Sequence, residues 1–167
     1  VLIFLITLII FKMMNIWRPG INIGPIKDDN YDVQIWAKNN TTKDTIFITP
    51  PALWWFYNLE WRVISERSTV STLSELLEGA FLPSYIKYWR PRFEDVAPGA
   101  VAQFSTDPFK NITITKMAYY SLSEKDIIKI SNKYGAGYFV SEKPYQYKLP
   151  VAYENRGFIV YQLIFKK

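Results

Sequence analysis

The sequence predicts an α/β domain with a small, largely parallel central sheet flanked by helices. A C-terminal β-hairpin closes it, and a truncated transmembrane helix precedes it. Three observations carry this reading. The chain opens on "VLIFLITLIIF", eleven residues without a charge; segments of strand and helix character then alternate; and "LPVAYENRGFIVYQLIF" ends the chain as two strands about a turn. Alternation of strand and helix favours parallel pairing, because each crossover returns the chain to the same edge of the sheet.

The opening run divides the chain into three parts. Residues 1–17 form the end of a transmembrane helix, 18–30 a linker, and 31–167 a soluble α/β domain. A full crossing takes about 20 apolar residues, so the run implies a span that begins upstream. Lys12 is placed to snorkel, and Trp17 and Arg18 suit the interface. The alternative is a buried core helix, but polar positions at intervals of three or four are missing before Lys12. "RPGINIGPIKDDN" has the Pro and Gly content of a linker.

A helix is expected from Tyr31 to Lys38, ending at Asn39-Asn40, and "DTIFITP" is a compact strand rich in β-branched and aromatic residues. Pro50 and Pro51 stop that strand, and Pro51 is suited to start a helix. Trp54, Trp55 and Phe56 then lie around the exit. Core packing, contact with a membrane or partner, and stacking on a carbohydrate all remain open for these rings.

"WRVISERSTVST" reads as a second strand or two short strand pieces. Thr72 and Glu75 have the spacing of a capping box. Pro83 opens the helix "SYIKYWRPRFEDV", which Pro91 is expected to break or kink. In "SLSEKDIIKISNKYGAGYFVSEK", Ser123 caps a helix with Glu124 and Asp126 in its first turn, Ile127, Ile128 and Ile130 on its buried side, and Gly135 as its stop. Tyr138 to Ser141 follows as a buried strand, and Glu154-Asn155-Arg156-Gly157 turns the final hairpin.

Composition narrows the chemistry. The chain has no His and no Cys, which excludes a His- or Cys-based zinc site, a His-containing triad and a disulfide frame. No Walker, GxGxxG or paired-carboxylate pattern appears, so no cofactor, metal or catalytic residue is assigned. "YGAGYF" stops a helix before a strand, the reverse of a dinucleotide loop. The formal charge of +5 comes with scattered lysines and no aromatic-basic RNA-binding signature, so nucleic acid is not an expected partner. Asn39, Asn40 and Asn111 each begin a glycosylation sequon.

The candidate anion- or substrate-binding residues are Arg62, Glu66, Arg67, Trp89 and Arg92, with Trp54 and Trp55 as aromatic contacts. Guanidinium forks suit carboxylate and phosphate. The three arginines are expected to converge at the carboxyl edge of the first strand, where ligands bind in open parallel sheets. Glu66 is expected to pair with one of them and leave another free. An arginine network that only pins loops together is the alternative.

"WAKNNTTKDTIFITPP", Arg62, "ERSTV", and Trp89 with Arg92 in "YWRPR" resemble a poorly characterised soluble domain at the C-terminus of bacterial polytopic membrane proteins. Those proteins look like GT-C glycosyltransferases, which use lipid-linked sugar donors. "KYGAGYFVSEKP…VAYENRGFIVYQL" is similar to the close of such chains. The resemblance spans about residues 32 to 165 and departs from the pattern at "STLSELL" and Tyr88. It implies an extracytoplasmic domain that recognises substrate or supports structure, with catalytic carboxylates in upstream loops. The implied partners are a lipid bilayer, the rest of a polytopic protein, and a sugar or lipid-linked phosphate. A stand-alone carbohydrate-binding module and a small soluble α/β enzyme are the alternatives.

Overall fold

A computed structural model describes residues 6, 7, 10, 28–52 and 60–163. The expected span over 1–17 and linker over 18–30 therefore lie almost wholly outside the described residues, as do Trp54, Trp55 and Phe56. Ile6, Thr7 and Ile10 are helical. Among the described residues, no helix is long and apolar enough to cross a membrane.

Helix α1 spans Asp29–Asn40, two residues longer at each end than the periodicity predicts. Asp28 starts it by accepting the Tyr31 amide at 2.8 Å. Strand β1, Ile46–Ile48, follows. The segment expected to be a second strand divides instead into helix α2, Trp61–Ser65, and strand β2, Ser68–Thr69. Val63 and Ile64 favour extended backbone, but packing overrides that preference. Trp61 is buried against Phe47 with ring centroids 4.9 Å apart, and the Ser65 hydroxyl bonds back to the Trp61 carbonyl at 2.5 Å. Glu66, left-handed at φ 51°, ends the turn.

Helix α3, Glu78–Phe81, lies between short 3-10 turns at Ser74–Leu77 and Pro83–Tyr85. Helix α4, Ile86–Val96, runs through Pro91 without the expected break. Trp89, Phe93 and Val96 recur on one face and bury it, holding the helix together although the proline removes a donor. Helix α5, Pro108–Tyr120, was not anticipated, although Asp107 and Pro108 have the cap-and-first-turn chemistry of a helix start. Helix α6, Glu124–Tyr134, has the predicted Ser123 cap, which Asp126 completes as a capping box, and the left-handed Gly135 stop at φ 68°.

Strands β3, Ala136–Glu142, β4, Val151–Glu154, and β5, Phe158–Gln162, complete a five-stranded sheet in the order β2-β1-β3-β5-β4. The sheet is mixed, not largely parallel as expected. β1 is parallel to β2 and β3, but β5 is antiparallel to both β3 and β4, and its ladder with β3 is the longest in the sheet. The physical reason is the hairpin: its second strand inserts beside β3, so the turn at Asn155–Gly157 sets an antiparallel neighbour within the sheet. The Asn155 side chain accepts the amides of Gly157 at 3.0 Å and Phe158 at 2.7 Å, which fixes that turn.

Strand alternation sends side chains to two faces. Phe47, Val140 and Val160 pack against Val33, Ala37 and Trp61 from α1 and α2. Ile48, Phe139, Ile159 and Tyr161 pack against Ile127 and Ile130 of α6. A third cluster, built on Trp89, Phe93 and Leu73, joins α4 to the loops that leave the sheet.

Candidate functional site

β2 is the short edge strand of the sheet, and a cleft of about 370 Å³ lies against it. Ser68 and Thr69 form part of its floor, and Arg62, Glu75, Tyr85 and Arg92 supply its polar chemistry. α2 carries Arg62, the 3-10 turn after β2 carries Glu75, and α4 carries Arg92. Residues distant in sequence thus meet beside the sheet edge.

Glu75 is buried and fully engaged. One carboxylate oxygen pairs with Arg62 Nη2. The other accepts the Ser71 hydroxyl at 3.0 Å and the Thr72 amide at 3.2 Å. The second of these is the backward arm of the expected capping box, so the spacing was informative. Glu60 lies 3.7 Å from Arg62 Nη1. Burial disfavours the Arg62 charge, yet the bond and field of Glu75, aided by Glu60 and Tyr85, outweigh it and raise its pKa. Arg62 is therefore a fixed cation, and Glu75 is its anchor.

Arg92 is held differently. Its Nε donates to the Tyr88 carbonyl at 3.2 Å and its Nη2 to the Tyr85 hydroxyl at 3.1 Å. Neither partner carries a negative charge, and among the described residues no carboxylate forms an ion pair with it. The cleft thus holds two guanidinium groups and one buried, already paired carboxylate. Guanidinium forks are chemically suited to anionic oxygens.

The other expected residues stand elsewhere. Arg67 precedes β2, whose Ser68 pairs with Ile46 at the start of β1, so it lies at the amino end of these strands. It is buried, and donates to the carbonyls of Lys38 at 2.6 Å and Thr41 at 2.7 Å and to the Thr41 hydroxyl at 3.0 Å. It closes the carboxyl end of α1, where orphan carbonyls need donors. Glu66 pairs with Lys38 instead of an arginine, and the Lys38 bond and charge lower its pKa. The expected three-arginine convergence is thus limited to Arg62 and Arg92, and their cleft meets β1 at Ile46, its first residue, not at its carboxyl edge as expected. Trp89 is buried, with its indole N–H on the Thr72 carbonyl at 2.9 Å and its ring 4.6 Å from Phe93. It belongs to the core cluster of α4 and does not line the cleft.

In the sequence Glu75 is legible only as a helix cap, and Tyr85 carries no mark of a site residue. The Thr72–Glu75 spacing was a signal for the first, and nothing in the local sequence marks the second. Among the described residues, no group of three or more acidic side chains could hold a metal ion. Compared with protein-family models, curated proteins and solved structures, the chain matches none.

Proposed function

We propose that this chain is the extracytoplasmic, membrane-tethered C-terminal domain of a multi-span protein, and that its Arg62–Arg92 cleft recognises an anionic group. On this reading the ligand is a lipid-linked phosphate, and the whole protein is an enzyme of the GT-C glycosyltransferase kind whose catalytic residues lie outside this chain. The observation that carries the anion reading is Arg92. It is held in the cleft by two uncharged oxygens, beside Arg62, with no carboxylate of its own among the described residues. The charge-free run at residues 1–11 supports the tether. So do helical Ile6 and Ile10, whose side chains are about half exposed at 47% and 46%.

Titration calorimetry on the full chain in detergent tests the cleft, with inorganic pyrophosphate and a short-chain prenyl phosphate as probes. Arg92→Gln removes the charge from a side chain that braces no carboxylate, so the fold is expected to stay intact. A charge-assisted hydrogen bond is worth about 1.5–3 kcal/mol, so affinity should fall about tenfold or more. Unchanged affinity in Arg92→Gln, or no binding by the parent chain, sinks the anion reading.

A further inference from the structure

The two arginines of the cleft are not equivalent, and the difference lies in Glu75. Its side chain is only 3% exposed, so its negative charge is held against Arg62 with little screening by water. The Ser71 hydroxyl and the Thr72 amide fix it from the other side. Glu60, at 3.7 Å and 29% exposed, adds a weaker negative charge beside the same guanidinium. Arg62 is thus matched before any ligand arrives. Arg92 is not. It donates to the Tyr88 carbonyl and the Tyr85 hydroxyl, and its other N–H groups are uncommitted among the described residues. The Tyr85 hydroxyl accepts from Arg92 and donates to no acceptor among the described residues, so its proton is available too. Tyr85 also contributes to the field at Arg62, so this one side chain is related to both guanidinium groups. Tyr134 lines the cleft as well, but its hydroxyl donates to Asp95, whose charge Lys133 matches. The described lining therefore carries no more than one unmatched positive charge.

We propose that Glu75 sets the charge the cleft accepts: by matching Arg62 it leaves Arg92 as the spare cation of the lining, and so selects a phosphodiester over a phosphate monoester. This rests on the anion reading of the Arg62–Arg92 cleft and deepens it. A phosphate esterified on both sides carries one negative charge at neutral pH, whereas a terminal phosphate carries about −1.5 to −2. One negative charge meets one spare guanidinium. The second charge of a monoester would enter a partly buried cleft with no cation left to receive it and with the Glu75 carboxylate in the same lining. An unmatched charge taken out of water is costly. Size agrees with this: a cleft of about 370 Å³ exceeds what one phosphate group fills and has room for a substituent on each side of phosphorus. A cleft so tuned holds a phosphate that still carries its second substituent and releases one that has lost it.

A short-chain prenyl phosphate and its methyl ester are matched probes, because they differ by one methyl group and, at about pH 8, by one charge. In titration calorimetry on the full chain in detergent, the diester should bind about tenfold more tightly than the monoester at that pH. The second ionisation of the monoester lies near about pH 6, so lowering the pH to about 5.5 should narrow the gap while diester affinity stays level. The chain has no His, so no side chain of ordinary pKa titrates in that window and the change reports the ligand. Glu75→Gln frees Arg62 as a second spare cation and should shift the affinity ratio toward the monoester by about tenfold. The double variant Arg62→Gln/Glu75→Gln removes the pair together, keeps one spare charge and should retain the parent's preference, with helical circular dichroism as the check on folding. The pH profile of the parent needs no variant. Monoester binding as tight as that of the diester at about pH 8, or an unchanged ratio in folded Glu75→Gln, overturns the proposal and leaves the anion reading standing. Failure of both esters to bind the parent removes the anion reading and this proposal with it.

Discussion

The terminal unit from Ser123 to Leu163 and the edge segment from Glu60 to Arg92 are held together by different means. In the terminal unit, Ile127, Ile130, Phe139, Ile159 and Tyr161 form one apolar layer between α6 and the sheet. In the edge segment, Ser65, Arg67, Thr69, Ser71, Thr72 and Glu75 are buried polar residues. Apolar burial is non-directional and asks only for roughly matching shapes. Buried polar groups need named partners at fixed distances. The edge segment can therefore hold two arginines in a chosen geometry, which a purely apolar layer cannot do.

The largest effect is expected from breaking the apolar side of the contrast. Phe139 is fully buried, stacked 5.3 Å from Tyr119 and edge-on to Tyr147 at 5.0 Å. Phe139→Ala should cost about 3–5 kcal/mol in urea denaturation, the usual range for removing a core ring. A loss below that range would mean the layer re-closes and is less well packed than the contacts indicate.

Glu75→Gln sharpens the polar side. It keeps the shape but removes the charge facing Arg62 and sets an amide donor near the Ser71 and Thr72 donors. The expected loss is about 1–3 kcal/mol, since Arg62 is partly open to solvent and screening reduces the pair's worth. Hydrogen exchange at the Thr72 amide should quicken while that of α6 holds. Equal quickening in both would show that the two regions unfold as one unit and that the contrast is not local.

The smallest effect belongs to the α6 cap. Ser123→Ala should cost about 1 kcal/mol, as N-cap losses do. Its partner Asp126 has a pKa lowered below the ordinary 3.8, first by the Ser123 side-chain bond and then by its backbone bond. A depressed carboxyl stabilises the fold above its ordinary value and loses that contribution as pH falls through the folded pKa. Stability of the parent chain should therefore decline below about pH 4 more steeply than that of Ser123→Ala, read from helical circular dichroism. Parallel declines would place the acid sensitivity elsewhere, with the Lys38-paired Glu66 the next group to test.

What the sequence determined by itself is local. The Ser123 cap, the Gly135 stop and the Asn155–Gly157 turn use chemistry whose partners lie within a few residues, so spacing reveals them, and the strand at "DTIFITP" shows in its own β-branched and aromatic composition. The course of α2 was not legible, because Trp61 must first meet Phe47 before a β-rich stretch is held as helix. Nor was the mixed sheet, since the place where β5 inserts depends on which strand edge is free. At the candidate site, the arginines could be named from composition, but their grouping could not. Arg67 turns toward the end of α1 and Arg62 toward Glu75, and each choice follows from which orphan carbonyls or carboxylate the folded chain brings within reach. Tertiary structure alone decided those pairings, because unsatisfied buried polar groups select their partners in space and not along the chain.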